Sequence, residues 1–146
     1  MSVLKRVAAL YLIVVAAAAG AHWIITPLYD NSSGEYPVWV VLNWFMASTI
    51  IVALDHNIRN KLALRGGNPD APLTGRRVQV NLLFYATIVL TLWFFWNWFY
   101  GFFPQNEPEV VGLVHLEMWT LINPLFVLTI GTTGFSLWQE AEDVSE

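Results

Sequence analysis

The sequence contains no cysteine and few charged residues. Of its 146 residues, seven are Lys or Arg and eleven are Asp or Glu, so that 12% are charged, against about 25% in a typical soluble domain. Without cysteine the chain can form no disulfide, iron–sulfur ligation, zinc thiolate or thiol nucleophile. So few charges cannot cover a water-facing surface, and a content of 56% apolar and 15% aromatic residues excludes disorder. The composition predicts a protein of the lipid bilayer.

Four long apolar stretches are present instead. About 20 mainly apolar residues are needed to cross the hydrocarbon core as a helix. The sequence predicts four such helices over about residues 7–29, 36–57, 78–103 and 110–138. The predicted fold class is therefore an all-α integral membrane bundle of four transmembrane helices, forming a single membrane domain over residues 1–146. The first stretch follows Lys5 and Arg6 as a signal peptide would, but it is too long for one, and we expect it to be retained.

The cations lie only near the N-terminus and in the segment around the connection between the second and third predicted helices. None lies in the two connections around residues 30–35 and 104–109. By the positive-inside rule, both termini and the basic linker at residues 57–77 are predicted to be cytoplasmic, in the inner membrane of the cell. Such cations suit anionic lipid headgroups or an acidic partner surface, and they are too few to indicate nucleic-acid binding. The seven cations are Lys5, Arg6, Arg59, Lys61, Arg65, Arg76 and Arg77.

Three ionisable residues fall in the predicted outer half of the bilayer: His22, His115 and Glu117. Intramembrane ionisable groups are candidates for function because each must find a partner. His22 and His115 lie at similar predicted depth, so that together they could ligate a haem b or a metal ion. Hydrogen bonds within the bundle are the alternative. His115 and Glu117 point about 200° apart on one helix, which makes it difficult for one site to use both.

A second polar group lies at the predicted inner end of the second helix. Asp55 and Arg59 have the i,i+4 spacing of a surface ion pair. Asp55 and His56 could instead form a proton-transfer or ligand site, because the pKa of histidine is ordinarily near neutrality.

Small residues and one proline indicate how the helices pack. Ala16 with Gly20, and Gly131 with Gly134, are spaced so that helix backbones can approach closely. Pro124 lies in the middle of the fourth predicted helix, where we expect a kink. These residues report assembly and carry no catalytic chemistry.

The predicted function follows from two features: the chain has little sequence between its predicted helices and few charges within them. Short connections and few intramembrane charges indicate a small accessory or structural subunit of a larger membrane complex of the redox or energy-converting type, with other membrane subunits and bound lipid as partners. Aromatic residues at 93–103 exceed what one interfacial belt needs and favour contact with a partner protein, a pigment or a quinone. Two alternatives stay open: a His-ligated haem or metal subunit, and a transporter subunit. For the latter, the topology alone resembles that of the small subunits of tripartite periplasmic transporters.

Overall fold

Helices make up nearly all of the described chain. The computed structural model describes residues 2–29, 36–65, 74–102 and 109–143. The helices within these ranges are α1 (Ser2–Ile25), α2 (Pro37–Arg65), α3 (Gly75–Tyr100) and α4 (Glu109–Asp143), and a short 3-10 turn, Thr26–Leu28, follows α1. The prediction of an all-helical chain with four long helices is confirmed.

The helix bounds differ from the predicted ones most clearly in α2. This helix continues to Arg65, so that residues 58–65 of the predicted linker 57–77 are helical. The apolar run indicates only the part that fits the hydrocarbon, whereas Lys, Arg, Leu and Ala have high helix propensity and extend the helix beyond it. Similarly, α4 continues past the predicted end at 138 to Asp143. At the start of α3, the Thr74 hydroxyl oxygen accepts a hydrogen bond from the Arg77 backbone N–H and caps the helix.

All four helices are long and apolar enough to cross a membrane. The candidate spans are Val3–Leu28, Pro37–Leu64, Gly75–Tyr100 and Leu113–Asp143. Large apolar side chains cover the outside of the bundle, among them Leu4, Leu82 and Leu128. A protein folded in water rarely exposes so large an apolar surface. The chain is therefore a membrane protein by the length and the composition of its helices.

The helices are arranged so that the first part of α1 and the last part of α4 meet. The Lys5 ammonium lies 3.5 Å from the Glu140 carboxylate, and the Asn60 amide of α2 donates to the same carboxylate at 3.4 Å. Lys61 of α2 donates to the Asn81 side chain of α3. These contacts bring the start of α1, the ends of α2 and α4, and the start of α3 together. We call this part of the bundle the cationic end.

The pair formed by α1 and α4 has the most extensive contact in the bundle. Gly134 lies at its closest approach. A Cβ atom added to Gly134 would lie 2.9 Å from Ile13 Cγ1 and 3.1 Å from the Ala9 carbonyl oxygen. Added at Gly20, a Cβ would lie 3.2 Å from Val127, and at Gly131 it would lie 3.9 Å from Ala16. The predicted packing residues thus all lie between α1 and α4, but only Gly134 has backbone against it.

A polar network joins three helices inside the bundle. Asn57 of α2 is buried and donates through Nδ2 to Thr87 Oγ1 of α3 at 2.8 Å and to Thr133 Oγ1 of α4 at 3.0 Å. The Thr87 hydroxyl in turn donates to the Leu83 carbonyl. Both amide protons are therefore satisfied by interhelical bonds, as buried polar groups in hydrocarbon require.

Candidate functional site

A cavity of about 560 Å³ opens between the helices at the end of the bundle opposite the cationic end. All four helices contribute to its wall, as does the 3-10 turn after α1. Its most frequent lining residue is tryptophan, from each of the four helices. These residues are Trp23, Trp39, Trp44, Trp98 and Trp119. The wall is accordingly aromatic and apolar, with a small number of polar groups placed in it.

Three of these polar groups are asparagine side chains: Asn43 of α2, Asn97 of α3 and Asn123 of α4. Asn97 is fully engaged with α4, as described below. The other two differ, because the Oδ1 atoms of Asn43 and Asn123 are buried and have no hydrogen-bond partner. Asn123 as a residue is only 3% exposed. Leaving a buried acceptor unpaired costs about 1–3 kcal/mol, so these two carboxamides are the least explained polar groups of the cavity.

Local sequence explains how the wall is built on α3. Phe94, Asn97 and Trp98 follow the i, i+3, i+4 spacing and point into the bundle, where all three are buried. Trp93, Trp96 and Phe99 on the same helix face outward. The aromatic residues in this part of α3 are thus divided between the interior of the bundle, where Trp98 lines the cavity, and the outer surface.

On α4 the wall lies next to Pro124. The helix continues on both sides of this proline. Because Pro124 has no backbone N–H, the Thr120 carbonyl four residues earlier has no partner in the helical pattern. Thr120 and Asn123 both line the cavity, so the proline lies where the helix backbone adjoins the cavity. The kink expected at Pro124 stays a prediction.

His115 lies behind this wall and is 8% exposed. Its Nδ1 atom is 2.7 Å from Asn97 Oδ1, and Asn97 Nδ2 donates to the His115 carbonyl at 3.1 Å. Since the Asn97 oxygen is the acceptor, Nδ1 carries the proton. The imidazole is stacked on Tyr100 with ring centroids 3.3 Å apart. This reciprocal pair connects α3 to α4 and corresponds to the hydrogen-bonding alternative of the sequence analysis.

His22 has a different environment. Its ring centroid lies 4.8 Å from that of Trp39 on α2 and 6.0 Å from that of Tyr29. Among the described residues, no hydrogen bond or ring contact joins His22 to His115 or Glu117. Glu117 is exposed, and its carbonyl accepts from Thr120. The described part of the chain also holds no group of three or more His, Asp or Glu that could bind a metal ion. These three candidates thus make no direct contact with one another among the described residues, and a shared site stays a prediction.

At the cationic end, the candidate residues Asp55 and His56 also have separate environments. Asp55 forms the expected i,i+4 ion pair with Arg59 at 2.9 Å, and both side chains are mostly exposed. His56 is turned away toward Asn60 and lies 3.8 Å from the Glu140 carboxylate. Asp55 and His56 therefore have separate partners, and Glu140 is the residue around which the polar groups gather.

Asn57 and Glu140 are the residues to which the sequence assigned no specific role. A pattern was available for Asn57: it continues the buried stripe of α2 through Met46, Ile50 and Ala53, with spacings of four and three. Asn43 lies three residues before Met46, at the same spacing. Nothing in the sequence separates the unpaired amides from the paired ones, because pairing depends on the neighbouring helices.

Comparison of the chain with protein-family models, with curated protein sequences and with solved structures finds no match.

Proposed function

We propose that this chain is a small accessory subunit of a larger membrane complex of the redox or energy-converting type. It would lie in the inner membrane with both termini cytoplasmic. The orientation is supported by the seven cations, which all lie toward the cationic end or in segments adjoining it. Four apolar helices with short connections leave little chain outside the bilayer for an independent activity.

The observation that carries the proposal is the position of Trp93. As a 26-residue helix, α3 is about 39 Å long at 1.5 Å per residue, against about 30 Å of hydrocarbon. Trp93 lies seven residues before the last residue of the helix, Tyr100, so its Cα lies about 6 Å inside the hydrocarbon when the helix is centred. Its side chain is partly exposed, and no described residue accepts a hydrogen bond from its indole N–H.

An indole N–H at that depth is below the interfacial belt where tryptophan ordinarily finds a wet partner. A neighbouring helix with a polar side chain would supply the acceptor. Around Trp93, the exposed side chains of α3 follow spacings of four and three, as in the seam between two packed helices. This outward stripe consists of Val78, Leu82, Tyr85, Val89, Leu92, Trp96 and Phe99. A transmembrane helix of another subunit fits such a surface.

The test is blue-native electrophoresis of membranes that contain the chain, followed by mass spectrometry and an absorbance spectrum of the band. We expect the wild type to migrate in a complex with subunits that hold a redox cofactor. A Trp93→Leu, Trp96→Leu double variant should lose that complex. Leu128→Ala, at an exposed position on α4, is the matched control and should retain it.

Migration of the wild-type chain alone in mild detergent would refute the proposal. A partner that is a multi-helix permease without a redox cofactor would favour the transporter alternative instead. A Soret band that belongs to the isolated chain and disappears in His115→Ala would favour the haem alternative.

A further inference from the structure

Lys61 is a cation at the edge of the hydrocarbon. As a 29-residue helix, α2 is about 43 Å long, against about 30 Å of hydrocarbon, so that it extends about 7 Å beyond each side when it is centred. Lys61 lies four residues before Arg65, the last residue of the helix, and its Cα is therefore within about 1 Å of the boundary. Among the described residues, no carboxylate forms a salt bridge with Lys61.

The Lys61 ammonium is held in a groove between α2 and α3 that faces lipid. It donates to the Asn81 side-chain oxygen, and it lies 5.7 Å from the ring centroid of Phe84 and 5.3 Å from that of Tyr85. Tyr85 is 58% exposed on the outside of the bundle, so the ammonium lies beside lipid. Ring faces attract a cation without neutralising it, and an ammonium has three protons to donate. An anionic acceptor outside the bundle would satisfy the protons that Asn81 does not use.

A second cation lies on the same side of α3. Arg77 precedes Asn81 by four residues, which places both on one face of the helix, and the Asn81 amide donates to the Arg77 carbonyl at 2.9 Å. Toward the bilayer centre the groove is apolar, because Ile58 lies three residues before Lys61 and is 38% exposed, next to the exposed ring of Tyr85. Cations at the boundary with an apolar surface below them match the order of headgroup and acyl chain in a phospholipid.

The edge of the cationic end formed by α1 and α4 has a different charge balance. There the Lys5 ammonium lies 3.5 Å from the Glu140 carboxylate, and Glu142 and Asp143 follow on α4. The cation on that edge already has an anionic neighbour within the chain, and further carboxylates would repel an anion from the bilayer. The groove at Lys61 is therefore the better place for one.

From these observations we propose that the groove binds the phosphate headgroup of an anionic phospholipid, in the leaflet at the cationic end. The phosphate oxygens would accept from Lys61 and Arg77, and an acyl chain would lie along Ile58 and Tyr85. A zwitterionic lipid fits less well, because its own cation would lie beside those of the protein. The inference goes beyond the proposed function and needs no partner subunit, since the lipid would lie beside the outward stripe of α3 on its α2 side.

The site is tested by native mass spectrometry of the full-length chain, released from detergent micelles that contain equal amounts of phosphatidylglycerol and phosphatidylcholine. The two lipids are chosen with the same acyl chains, so that they differ only in the headgroup. We expect the first bound lipid to be phosphatidylglycerol by at least about tenfold, since each cation near the surface contributes a factor of about five. Equal binding of the two lipids would overturn the proposal. Displacement of phosphatidylglycerol by inorganic phosphate would also overturn it, because a site for free phosphate needs no acyl chain.

Lys61→Gln is the informative variant, because it removes the cation and keeps a hydrogen-bond donor near Asn81. We expect the preference for phosphatidylglycerol to fall about fivefold. Lys5→Gln is the matched control, with the same substitution and the same change in net charge, at a cation that Glu140 already neutralises. It should change the preference by less than about twofold. Equal losses in the two variants would indicate a general effect of charge and would overturn the assignment of a site.

Two further variants distinguish a lost site from a misfolded chain. Lys61→Arg keeps the charge and should keep the preference. Arg77→Gln leaves the hydrogen bond between Lys61 and Asn81 in place and should lower the preference by about fivefold or less. An unchanged preference in both Lys61→Gln and Arg77→Gln, with wild-type helicity by circular dichroism, would overturn the proposal.

The proposed function and this lipid site fail independently of each other. The Trp93→Leu, Trp96→Leu variant should lose the partner subunits and still prefer phosphatidylglycerol. Lys61→Gln should keep the partner subunits while its lipid preference falls. Loss of the partner subunits in Lys61→Gln with an unchanged lipid preference would overturn the lipid site in favour of an acidic group on a partner protein.

Discussion

The two halves of the bundle pair their asparagines to different degrees, although Asn97 beside the cavity is fully paired with His115. In the half toward the cationic end, which we call the packed half, Asn57 donates to hydroxyl groups of two neighbouring helices. In the half that contains the cavity, the cavity half, the oxygens of Asn43 and Asn123 have no partner. In the packed half the amide thus finds its partners on neighbouring helices, whereas beside the cavity two of three carboxamide oxygens have none.

The same contrast appears in how closely the helices approach. In the packed half, Gly134 allows the backbone of α1 to come so near that no Cβ would fit beside the Ala9 carbonyl. The cavity half keeps its helices apart with tryptophans and leaves a space of about 560 Å³. The helices of the bundle are therefore in close contact at one end and separated at the other.

The largest effect is expected for Gly134→Ala. The added methyl would lie 2.9 Å from Ile13 Cγ1 and 3.1 Å from the backbone oxygen of Ala9, so α1 and α4 must separate. We expect the free energy of unfolding to fall by about 2 kcal/mol, measured by denaturant titration in detergent. The control is Gly131→Ala, whose nearest neighbour would be 3.9 Å away, and which should be neutral or slightly stabilising. Equal losses in the two variants would contradict the close approach at Gly134.

A smaller loss is expected when the network of the packed half is removed. Asn57→Leu eliminates the hydrogen bonds to Thr87 and Thr133. Because interhelical bonds in membranes contribute about 0.6 kcal/mol each on average, the free energy of unfolding should fall by about 1 kcal/mol. The same titration measures it, and no change would mean that the network does not hold the helices together.

The equivalent substitution in the cavity half should have the opposite sign. Asn43→Leu removes a buried oxygen without a partner, so we expect the free energy of unfolding to rise by about 1 kcal/mol. The comparison between Asn43→Leu and Asn57→Leu tests the contrast between the halves directly. A decrease for Asn43→Leu of the size found for Asn57→Leu would abolish it.

The smallest effect is expected at Asp55. Its ion pair with Arg59 is mostly exposed on both sides, and such i,i+4 pairs contribute only a few tenths of a kcal/mol. Asp55→Ala should therefore change the free energy of unfolding by no more than that, and added salt should remove the difference. A loss comparable to that of Asn57→Leu would show that Asp55 has a role beyond this surface pair.

Particular residues show how far sequence reasoning reached. The ion pair of Asp55 with Arg59 lies within one helix, so the i,i+4 rule predicted it. The end of α2 was placed too early, because hydropathy detects where the hydrocarbon ends and helices continue into the polar region beyond. His22 and His115 were considered together because their predicted depths agree, but depth does not fix the direction in which a side chain points. In the structure each imidazole has aromatic neighbours of its own.

What the sequence determined by itself is the four-helix membrane architecture and the gathering of the cations at one end. Helix length and apolar content determine the four-helix architecture, because backbone polar groups in hydrocarbon must be hydrogen-bonded within their own helix. The cations gather at one end because all of them lie in the N-terminal segment or in the segment around the connection between α2 and α3. Only the tertiary structure decided which amides are paired, since the partners of Asn57 lie 30 and 76 residues away in the chain. The cavity with its unpaired oxygens likewise exists only where four helices meet, because no single helix contains more than part of its wall.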